Sequence, residues 1–385
     1  MTSRHVRVTL TLACALALGA LIVACTKGEK PAPEPMRPAA RPIGAVIEIK
    51  APLGLPPVPV PADNPPTAET IALGRRLYYD KALSVDNTVA CANCHDPKSG
   101  FSDGKQFSDG VRNQKGDRNS PTVFNSAYYT LQFWDGRAPS LEKQAEGPVA
   151  NPVEMAHTLE GVEQKLMADP SYKEEFKKAW GTDVITYEMV GKAIASFERT
   201  VVSANSPFDR YHYGGDKKAM SASAIRGLEV FRNKEKGNCE VCHTIGEKYA
   251  LFMDNKFHNL GVGVKLTIDG ETVLTDLGRY KETKVETDKG AFKTPSLRNI
   301  ALTAPYLHDG SRKTLKEVVD VYVGGGNSNA HLDKEIHKLD FLTGREQADL
   351  LEFLKALTGE TPPNVGPPAS GPSASLNVEL LRRPQ

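Results

Sequence analysis

The sequence predicts an all-α protein with two tandem helical domains that are related by an internal repeat. Apolar residues recur at helical spacing in the segments 67–79, 221–231 and 314–322, whereas long alternating strand patterns are missing. Thr67 is placed to cap the first of these helices, with Glu69 in its first turn as the capping partner. The helical spacing and the duplication described next together define the predicted fold class.

The repeat comes from an ungapped alignment of the two halves of the chain. Residues 120–127 align with residues 294–301, and at the same offset residues 133–136 align with residues 307–310. Internal repeats of this kind indicate duplicated supersecondary units. Each half is therefore expected to place equivalent residues around its own functional site.

Length and charge limit the function classes. With 385 residues, of which 40% are hydrophobic, the chain can bury cores in two or three domains. The 48 Lys and Arg residues nearly balance the 47 Asp and Glu residues, which leaves a formal net charge of +1. Such a balance argues against a nucleic-acid partner. Six cysteines are too few for a disulfide-based scaffold of this length.

The N-terminus has the features of an export signal. Arg4 and Arg7 precede an apolar run over residues 8–24, and small residues lead into Cys25. We predict that residues 1–24 are a lipoprotein signal peptide and that Cys25 is a lipid anchor, which would hold a periplasmic protein to the outer membrane. An ordinary secretory signal is the alternative, and both interpretations export the mature chain.

Composition divides the rest of the chain. Proline recurs every few residues over 25–66, so we predict a semi-rigid linker without a core there. Residues 67–215 and 216–360 are predicted to be the N-terminal and C-terminal domains. The Pro- and Ser-rich residues 361–385 are predicted to be a disordered tail.

Two C-x-x-C-H pentapeptides, one in each half, carry the predicted chemistry. This spacing lets two thiols form thioethers with one haem while the adjacent histidine binds the iron. A single copy could also be chance or half of a zinc site, but two copies in an exported chain indicate two covalently bound haems c in cytochrome c-type domains. The residues are Cys91, Cys94 and His95 for the first haem, and Cys239, Cys242 and His243 for the second.

The other axial position of each iron differs between the halves. No methionine follows Met253, which lies too soon after the second motif to reach the opposite haem face easily. Tyr322 is the candidate ligand of the second iron, because a phenolate can bind iron, and His258 is its rival. The repeat aligns Tyr322 with Pro148, which offers no ligand atom. The sequence therefore predicts one closed and one open haem.

The chain resembles the bacterial di-haem cytochrome c peroxidase superfamily, specifically its MauG-type branch. The resemblance covers nearly all of residues 67–359. It implies a peroxidatic first haem, an electron-transferring second haem and Trp134 between them. It also implies that Gln144, Glu154 and Pro148 lie on the peroxide side of the first haem. The motifs that carry it are 118–122, 133–137, 151–155, 294–299 and 305–310.

The same resemblance implies a metal ion besides iron. One Ca²⁺ would lie at the interface between the two domains, held by the side chain of Asn119 and the carbonyl groups of Thr303 and Pro305. Water would complete its oxygen coordination.

Two departures from the wider superfamily select the branch, and a third leaves the substrate open. Members that need reductive activation carry a distal histidine where Val111 aligns here, and residues 106–119 contain no histidine. Those members also supply methionine to the second haem where this chain has Tyr322. The MauG that builds a tryptophan-derived cofactor has a surface tryptophan just before the second motif, where this chain has Gly237.

We expect an enzyme that reduces H₂O₂ at the open first haem. Glu154 is predicted to move a proton between the peroxide oxygens, and Gln144 to orient the peroxide. Trp134 is predicted to share oxidising equivalents with the second haem. The partner is either a small electron-donor protein, such as a c-type cytochrome or a cupredoxin, or a protein whose side chain is oxidised. An electron-transfer cytochrome without peroxide chemistry is the alternative, and a redox sensor is a third, weaker one.

Overall fold

The computed structural model describes residues 41–266 and 272–368. The predicted signal peptide, Cys25, the first part of the predicted linker and residues 369–385 lie outside this range. Helices dominate the described chain, as the sequence predicts. Among the described residues, none of the helices combines the length and the apolar character that crossing a membrane requires.

Short strands and 3₁₀ helices separate the α-helices along the described chain. The α-helices are α1 Ala68–Tyr79, α2 Cys91–Cys94, α3 Leu141–Gln144, α4 Glu146–Ala150, α5 Leu159–Met167, α6 Pro170–Trp180, α7 Tyr187–Glu198, α8 Pro207–His212, α9 Ala222–Arg232, α10 Tyr280–Thr283, α11 Leu315–Val323 and α12 Gly344–Lys355. The 3₁₀ helices are Lys81–Leu83, Pro97–Ser99, Val111–Asn113, Ser126–Tyr128, Cys239–Val241, Glu286–Asp288 and Ile300–Leu302. The strands are β1 Phe257–His258, β2 Val264–Leu266, β3 Thr272–Leu274 and β4 Phe292–Lys293. Strand β1 pairs with β4, and β2 pairs with β3, both antiparallel.

The helices predicted at residues 67–79, 221–231 and 314–322 each begin directly after a capping residue. Thr67 caps α1, Ser221 caps α9 and Thr314 caps α11. The capping box of α1 differs from the prediction, because Thr70 closes it in place of Glu69. A hydroxyl at the third helical position can bond the cap backbone as a carboxylate does, and Glu69 lies one residue too early.

Helices α1 and α7 form the centre of the first half, where they cross at close range. Gly74 lies at the crossing, and a Cβ atom there would come 1.8 Å from the carbonyl oxygen of Ala193. Only glycine therefore permits this approach of the two backbones. Every residue of helix α7 except Glu188 is buried, including the polar residues Lys192 and Glu198.

The second half repeats this arrangement with α9 and α12. A Cβ atom on Gly227 would come 2.0 Å from the carbonyl oxygen of Asp349. An aromatic core that includes Phe231, Phe252 and Phe353 packs around this crossing. The first core extends along the chain to Val201, apart from Val365, and the second begins at Phe208, whereas the predicted domain boundary after residue 215 stays a prediction.

Rare backbone conformations recur at the offset of the predicted repeat. Asn125 and Asn299 have φ angles of 62° and 59°, in the left-handed region. Phe133 and Leu307 have φ angles of 67° and 71°, which are uncommon for bulky side chains. The two loops that follow the C-x-x-C-H motifs thus take the same backbone course at these aligned positions.

The predicted linker is wrong for residues 41–66, which pack on both halves. The amide of Ile43 donates to the Ala179 carbonyl in the first half, at 2.8 Å, and the amide of Ala250 donates to the Gly54 carbonyl from the second half, at 3.1 Å. Leu55 is buried in a small core with residues of both halves. A proline-rich segment lacks donors for a sheet, but its carbonyl groups still accept hydrogen bonds, and its few apolar residues still pack.

The predicted disordered tail is likewise wrong for residues 361–368. Val365 is buried in the first core, although it follows the last helix of the second half. The hydroxyl of Tyr79 donates to the Val365 carbonyl at 2.6 Å, and the guanidinium of Arg75 donates to the Gly366 carbonyl at 2.7 Å. The chain therefore returns to α1 after completing the second half.

A buried ion pair ties residues 41–66 to the second half. The guanidinium of Arg298 makes two hydrogen bonds with the carboxylate of Asp209, at 2.8 and 2.9 Å, and both side chains are almost fully buried. The remaining guanidinium donors bond the carbonyl groups of Ala250 and Gly54. Arg298 thus holds three separate chain segments together.

Candidate active site

A single cavity of about 720 Å³ lies between the two halves and contains all the predicted site residues in its lining. Both C-x-x-C-H loops open onto it. Because residues far apart in the chain converge here, this cavity is the candidate active site. The predicted residues in the lining are Cys91, Cys94, His95, Asn119, Trp134, Gln144, Pro148, Glu154, Cys239, Cys242, His243, Thr303, Pro305 and Tyr322.

The first C-x-x-C-H motif forms the short helix α2 and the residue that follows it. The Nδ1 atom of His95 lies 3.3 Å from the carbonyl oxygen of Phe101, and the hydroxyl of Tyr78 donates to the His95 carbonyl at 2.8 Å. Phe101 has a φ angle of 59°, and this turns its carbonyl towards the imidazole. The loop between the motif and Phe101 therefore fixes the ring of His95.

The second motif has the same arrangement with different residues. The Nδ1 atom of His243 lies 2.9 Å from the carbonyl oxygen of Phe252, whose φ angle is 52°. In both halves the hydrogen bond at Nδ1 leaves Nε2 as the atom for a metal. Burial lowers the pKa of both imidazoles, which favours the neutral ring that binds metals.

The donor sets of the two motifs fit a covalently attached haem each. All four cysteines are free thiols, and each pair lies beside a buried imidazole on the cavity wall. Burial raises the pKa of the Cys91 and Cys239 thiols to about 12. Neither Cys91 nor Cys239 therefore has the depressed pKa of a reactive redox thiol.

Glu154 and Gln144 face the cavity beside the first motif. The side-chain amide of Asn151 donates to the Glu154 carboxylate at 2.6 Å. Burial raises the pKa of Glu154, and the bond from Asn151 and the charge of Arg137 reduce this shift. The side chain of Gln144 forms no hydrogen bond with other residues of the described chain. A carboxyl group of raised pKa and an amide are thus available to a ligand in this part of the cavity.

The loop that lacks the distal histidine is bonded to the Glu154 segment. Val111 is fully buried, and its amide donates to the Glu154 carbonyl at 2.8 Å. A Cβ atom on Gly110 would come 1.9 Å from the carbonyl oxygen of Val153. The backbone of Glu154 is therefore held from one side by the loop that contains Gly110 and Val111.

Trp134 lies where the halves meet. Its indole Nε1–H donates to the Asn119 carbonyl at 2.8 Å, and its own carbonyl accepts from the amide of Lys293. The adjacent Asp135 pairs with Arg118, and Arg118 also makes two hydrogen bonds with Asp276 in the second half. This ion-pair network, which the sequence analysis missed, fixes the loop of Trp134.

Tyr322 projects from α11 towards the second motif. Its ring packs against a small cluster of Val230, Leu339 and Leu342. Burial raises the pKa of the phenol, and the neighbouring sulfur atoms of Cys239 and Cys242 raise it further. The phenol therefore lies beside the haem-attachment cysteines of the second half.

The two rivals of Tyr322 are engaged by other groups, although His258 lies beside Cys242 of the second motif. Both ring nitrogens of His258 face carboxylates, Nδ1 with Asp333 at 2.6 Å and Nε2 with Asp254 at 2.9 Å. The bond to Asp254 is the main reason why the pKa of His258 rises to about 11. Met253 is buried in the small core that contains Leu55 and Tyr128. Both ring nitrogens of His258 are therefore bonded to carboxylates although the ring lies beside the second motif, and Met253 packs in a separate core.

The residues implied for calcium all line the shared cavity. The side-chain Nδ2–H of Asn119 donates to the Lys105 carbonyl at 2.8 Å, which leaves its Oδ1 as the atom for a cation. Pro305 and Thr303 line the same cavity, and a Cβ atom on Gly100 would come 3.1 Å from Thr303. Carbonyl and amide oxygens are hard donors of the kind that Ca²⁺ takes.

A buried glutamate that the sequence analysis did not single out also lines the cavity. Glu198 ends α7 and is only 6% exposed. Its Oε2 atom has no hydrogen-bond partner among the described residues. The apolar pattern of α7 does not predict the burial of Glu198, because an isolated glutamate at a helix end is ordinarily solvated.

Two cytochrome c-type haem-attachment loops that share a cavity in a helical fold define a di-haem cytochrome, and comparison with known proteins agrees. Residues 68–218 match the family described as "Di-haem cytochrome c peroxidase". The chain is 38% identical over 304 residues to the methylamine utilization protein MauG of Methylophilus methylotrophus, covering 78% of this chain and 86% of that protein. It is 40% identical over 337 residues to the cytochrome-c peroxidase IdrP1 of Denitromonas iodatirespirans, covering 81% and 87%.

Solved structures agree with these sequence relatives. A MauG-like protein associated with microbial copper homeostasis superposes with a TM-score of 0.72 at 34% identity, covering 80% of this chain and 95% of that one. The chain belongs to the di-haem cytochrome c peroxidase family, with its MauG and peroxidase members. It is thus an oxidoreductase, and the family implies two haems c.

Proposed function

We propose that this protein reduces H₂O₂ at an open haem in its first half and passes oxidising equivalents to a second haem, which His243 and Tyr322 would hold. Cys91, Cys94 and His95 would hold the first haem, and Cys239 and Cys242 would attach the second. When bound, the haem irons supply the two-electron redox chemistry that cleaves the O–O bond. The observation that carries the proposal is the asymmetry at aligned positions, a phenol at one and Pro148 at the other.

Glu154 would act on the proton of the peroxide. Its carboxylate accepts the proton of one peroxide oxygen and returns it to the other, which then leaves as water. Burial raises the pKa of this carboxyl group, so that it is a better base than an exposed glutamate. The side-chain amide of Asn151 donates a hydrogen bond to it. Gln144, whose amide has no protein partner in the described chain, would orient the peroxide.

Trp134 would connect the two haem sites. Its indole lines the shared cavity and is fixed by the Asn119 carbonyl. An aromatic ring of low oxidation cost in this place suits transfer of an electron between the halves. The matched φ angles of the loops support the internal repeat, with Trp134 and His308 at equivalent positions.

Gly237 bears on which kind of partner protein the enzyme would use. Gly237 takes the place of the MauG surface tryptophan, and a Cβ atom there would come 2.6 Å from the Val230 carbonyl oxygen. No side chain fits at this position without a shift of the backbone. This favours a small electron-donor protein, a c-type cytochrome or a cupredoxin, over oxidation of a partner's side chain by that route.

Calcium and location complete the proposal. One Ca²⁺ would bind Asn119, Thr303 and Pro305 where the halves join, with oxygen donors only. The protein would be periplasmic and anchored to the outer membrane through a lipid on Cys25. Metabolic labelling with a lipid precursor, with a Cys25→Ser variant as control, tests the anchor.

Turnover of the fully ferric protein with H₂O₂ and reduced cytochrome c tests the function. We expect cytochrome oxidation without prior reduction of the enzyme, because the first haem would have no distal ligand to release. If peroxide leaves the haem spectrum of the ferric protein unchanged, the protein is an electron-transfer cytochrome and the proposal is wrong.

A further inference from the structure

We propose that Glu198 is a proton-binding residue coupled to the first haem, which holds a proton while that haem is reduced and releases it when that haem is oxidised. The inference rests on the proposed function, because it places a haem beside Cys91. In the coupled step the iron of the first haem would pass from Fe(II) to Fe(III) and give one electron to a one-electron acceptor, such as a redox titrant. The O–H bond of the Glu198 carboxyl group would break at the same time, its electron pair would stay on the carboxylate oxygen, and the proton would pass to solvent water.

The position of Glu198 carries the inference. It is buried at the end of α7 and lines the cavity next to the first motif, as does Ile194 one turn earlier. Its Oε2 atom has no partner in the described part of the chain. An ionised carboxylate without a hydrogen-bond partner in an apolar wall costs several kcal/mol, so the group is stable there only as a neutral acid or beside a positive charge.

The charged and titratable neighbours of Glu198 do not neutralise it. Arg199, next to it in the chain, forms an ion pair with Glu142 of α3 at 2.8 Å and so is already paired. Tyr78 of α1 also faces it and is neutral at ordinary pH, and Cys91 of the first motif would be an uncharged thioether once the haem is attached. Burial raises the pKa of Glu198 to about 8; Arg199 opposes this shift, and the charge of Glu142 adds to it.

A haem attached at Cys91 would bring near Glu198 an iron whose charge changes with its oxidation state. Its iron gains one positive charge on oxidation, and a positive charge nearby favours the ionised carboxylate. Glu198 is close enough to Cys91 for its charge to act on that side chain, and hence it lies near the place where the haem would be attached. The proton affinity of Glu198 should therefore follow the oxidation state of the first haem, and by reciprocity the potential of that haem should depend on pH.

Redox-difference infrared spectroscopy of the holoenzyme tests the inference. A protonated carboxylic acid has a C=O stretch that a carboxylate lacks. We expect this band to disappear when the first haem is oxidised, to be absent from Glu198→Gln, and to return at a shifted frequency in Glu198→Asp. Glu146→Gln, an equivalent change in α4 at a residue that pairs with Lys143 outside the cavity, should keep the wild-type band.

A redox titration of the first haem at several pH values gives the second readout. The potential should fall as pH rises in the wild-type protein and in Glu146→Gln, and the dependence should be weaker in Glu198→Gln. An unchanged band and an unchanged pH dependence in Glu198→Gln would overturn the inference. Should Glu198→Gln fail to fold, the frequency shift in Glu198→Asp decides, and a band that stays at the wild-type frequency overturns it. Loss of peroxide turnover with the band intact would contradict the proposed function alone.

Discussion

The backbone amide of Lys293 donates a hydrogen bond of 2.8 Å to the carbonyl of Trp134. The reciprocal bond joins the Asn119 amide to the His308 carbonyl at 2.7 Å. Asn119 aligns with Lys293 in the repeat, and Trp134 aligns with His308. Each half therefore holds the equivalent loop of the other half by the equivalent hydrogen bond. The place of Trp134 therefore depends on backbone groups, and its indole N–H donates a further hydrogen bond to the Asn119 carbonyl.

Replacement of Tyr322 by methionine should raise the reduction potential of the second haem and change its spectrum, because a neutral thioether stabilises Fe(II) more than a phenolate does. Spectroelectrochemistry measures both. Tyr129→Phe, a change of another tyrosine of the cavity wall, is the matched control and should leave the potential of that haem near the wild-type value. An unchanged spectrum in Tyr322→Met would remove Tyr322 as a ligand.

Replacement of Glu154 by glutamine should slow peroxide reduction by about 10²- to 10⁴-fold, the usual contribution of a positioned acid–base group. Stopped-flow mixing of the ferric protein with H₂O₂ measures the rate, and Glu146→Gln serves as control. Since the ionised form accepts the proton and burial raises its pKa, the wild-type rate should fall as pH drops through a value above the ordinary 4.5 of glutamate. A rate in Glu154→Gln equal to the wild-type rate would leave the carboxyl group without a role.

Replacement of Arg298 by methionine should lower the free energy of unfolding by about 3–5 kcal/mol, because it leaves the Asp209 carboxylate buried without its partner. Lys316→Ala removes an exposed pair with Asp320 and should cost less than about 1 kcal/mol. Chemical denaturation of both variants measures the difference. Equal stability of the two would mean that the burial of the Arg298 pair has no consequence.

Replacement of Gly74 by alanine should destabilise the first half by about 1–3 kcal/mol or more, because the added methyl group overlaps the Ala193 carbonyl and the helices must separate. Gly344→Ala at the start of α12 has open space around it and should change stability by less than about 1 kcal/mol. Thermal unfolding followed by circular dichroism compares them. A neutral Gly74→Ala would show that the crossing of α1 and α7 tolerates a wider separation.

Much of the fold and of the candidate site could be predicted, because local patterns encode them. Capped amphipathic segments at Thr67, Ser221 and Thr314 become helices, and the fixed spacing of the two C-x-x-C-H motifs brings each imidazole to its own loop. The cavity unites these residues with Glu154 and Tyr322, which the resemblance and the repeat had singled out.

Long-range packing could not be predicted from the same patterns. Leu55 and Val365 lie in proline-rich stretches without periodicity, and their burial depends on surfaces that other parts of the chain create. Glu198 was missed because α7 is covered on every side, which no single helix sequence reveals. His258 has both ring nitrogens bonded to carboxylates that only the folded chain brings together.

The attachment of residues 41–66 to the folded body also limits how far this protein could stand from a bilayer. With those residues committed to packing, only residues 26–40 remain to separate the body from a lipid on Cys25. A chain of that size spans at most about 50 Å. An anchored molecule would then work near the inner surface of the outer membrane and meet its redox partner there, instead of diffusing across the periplasm.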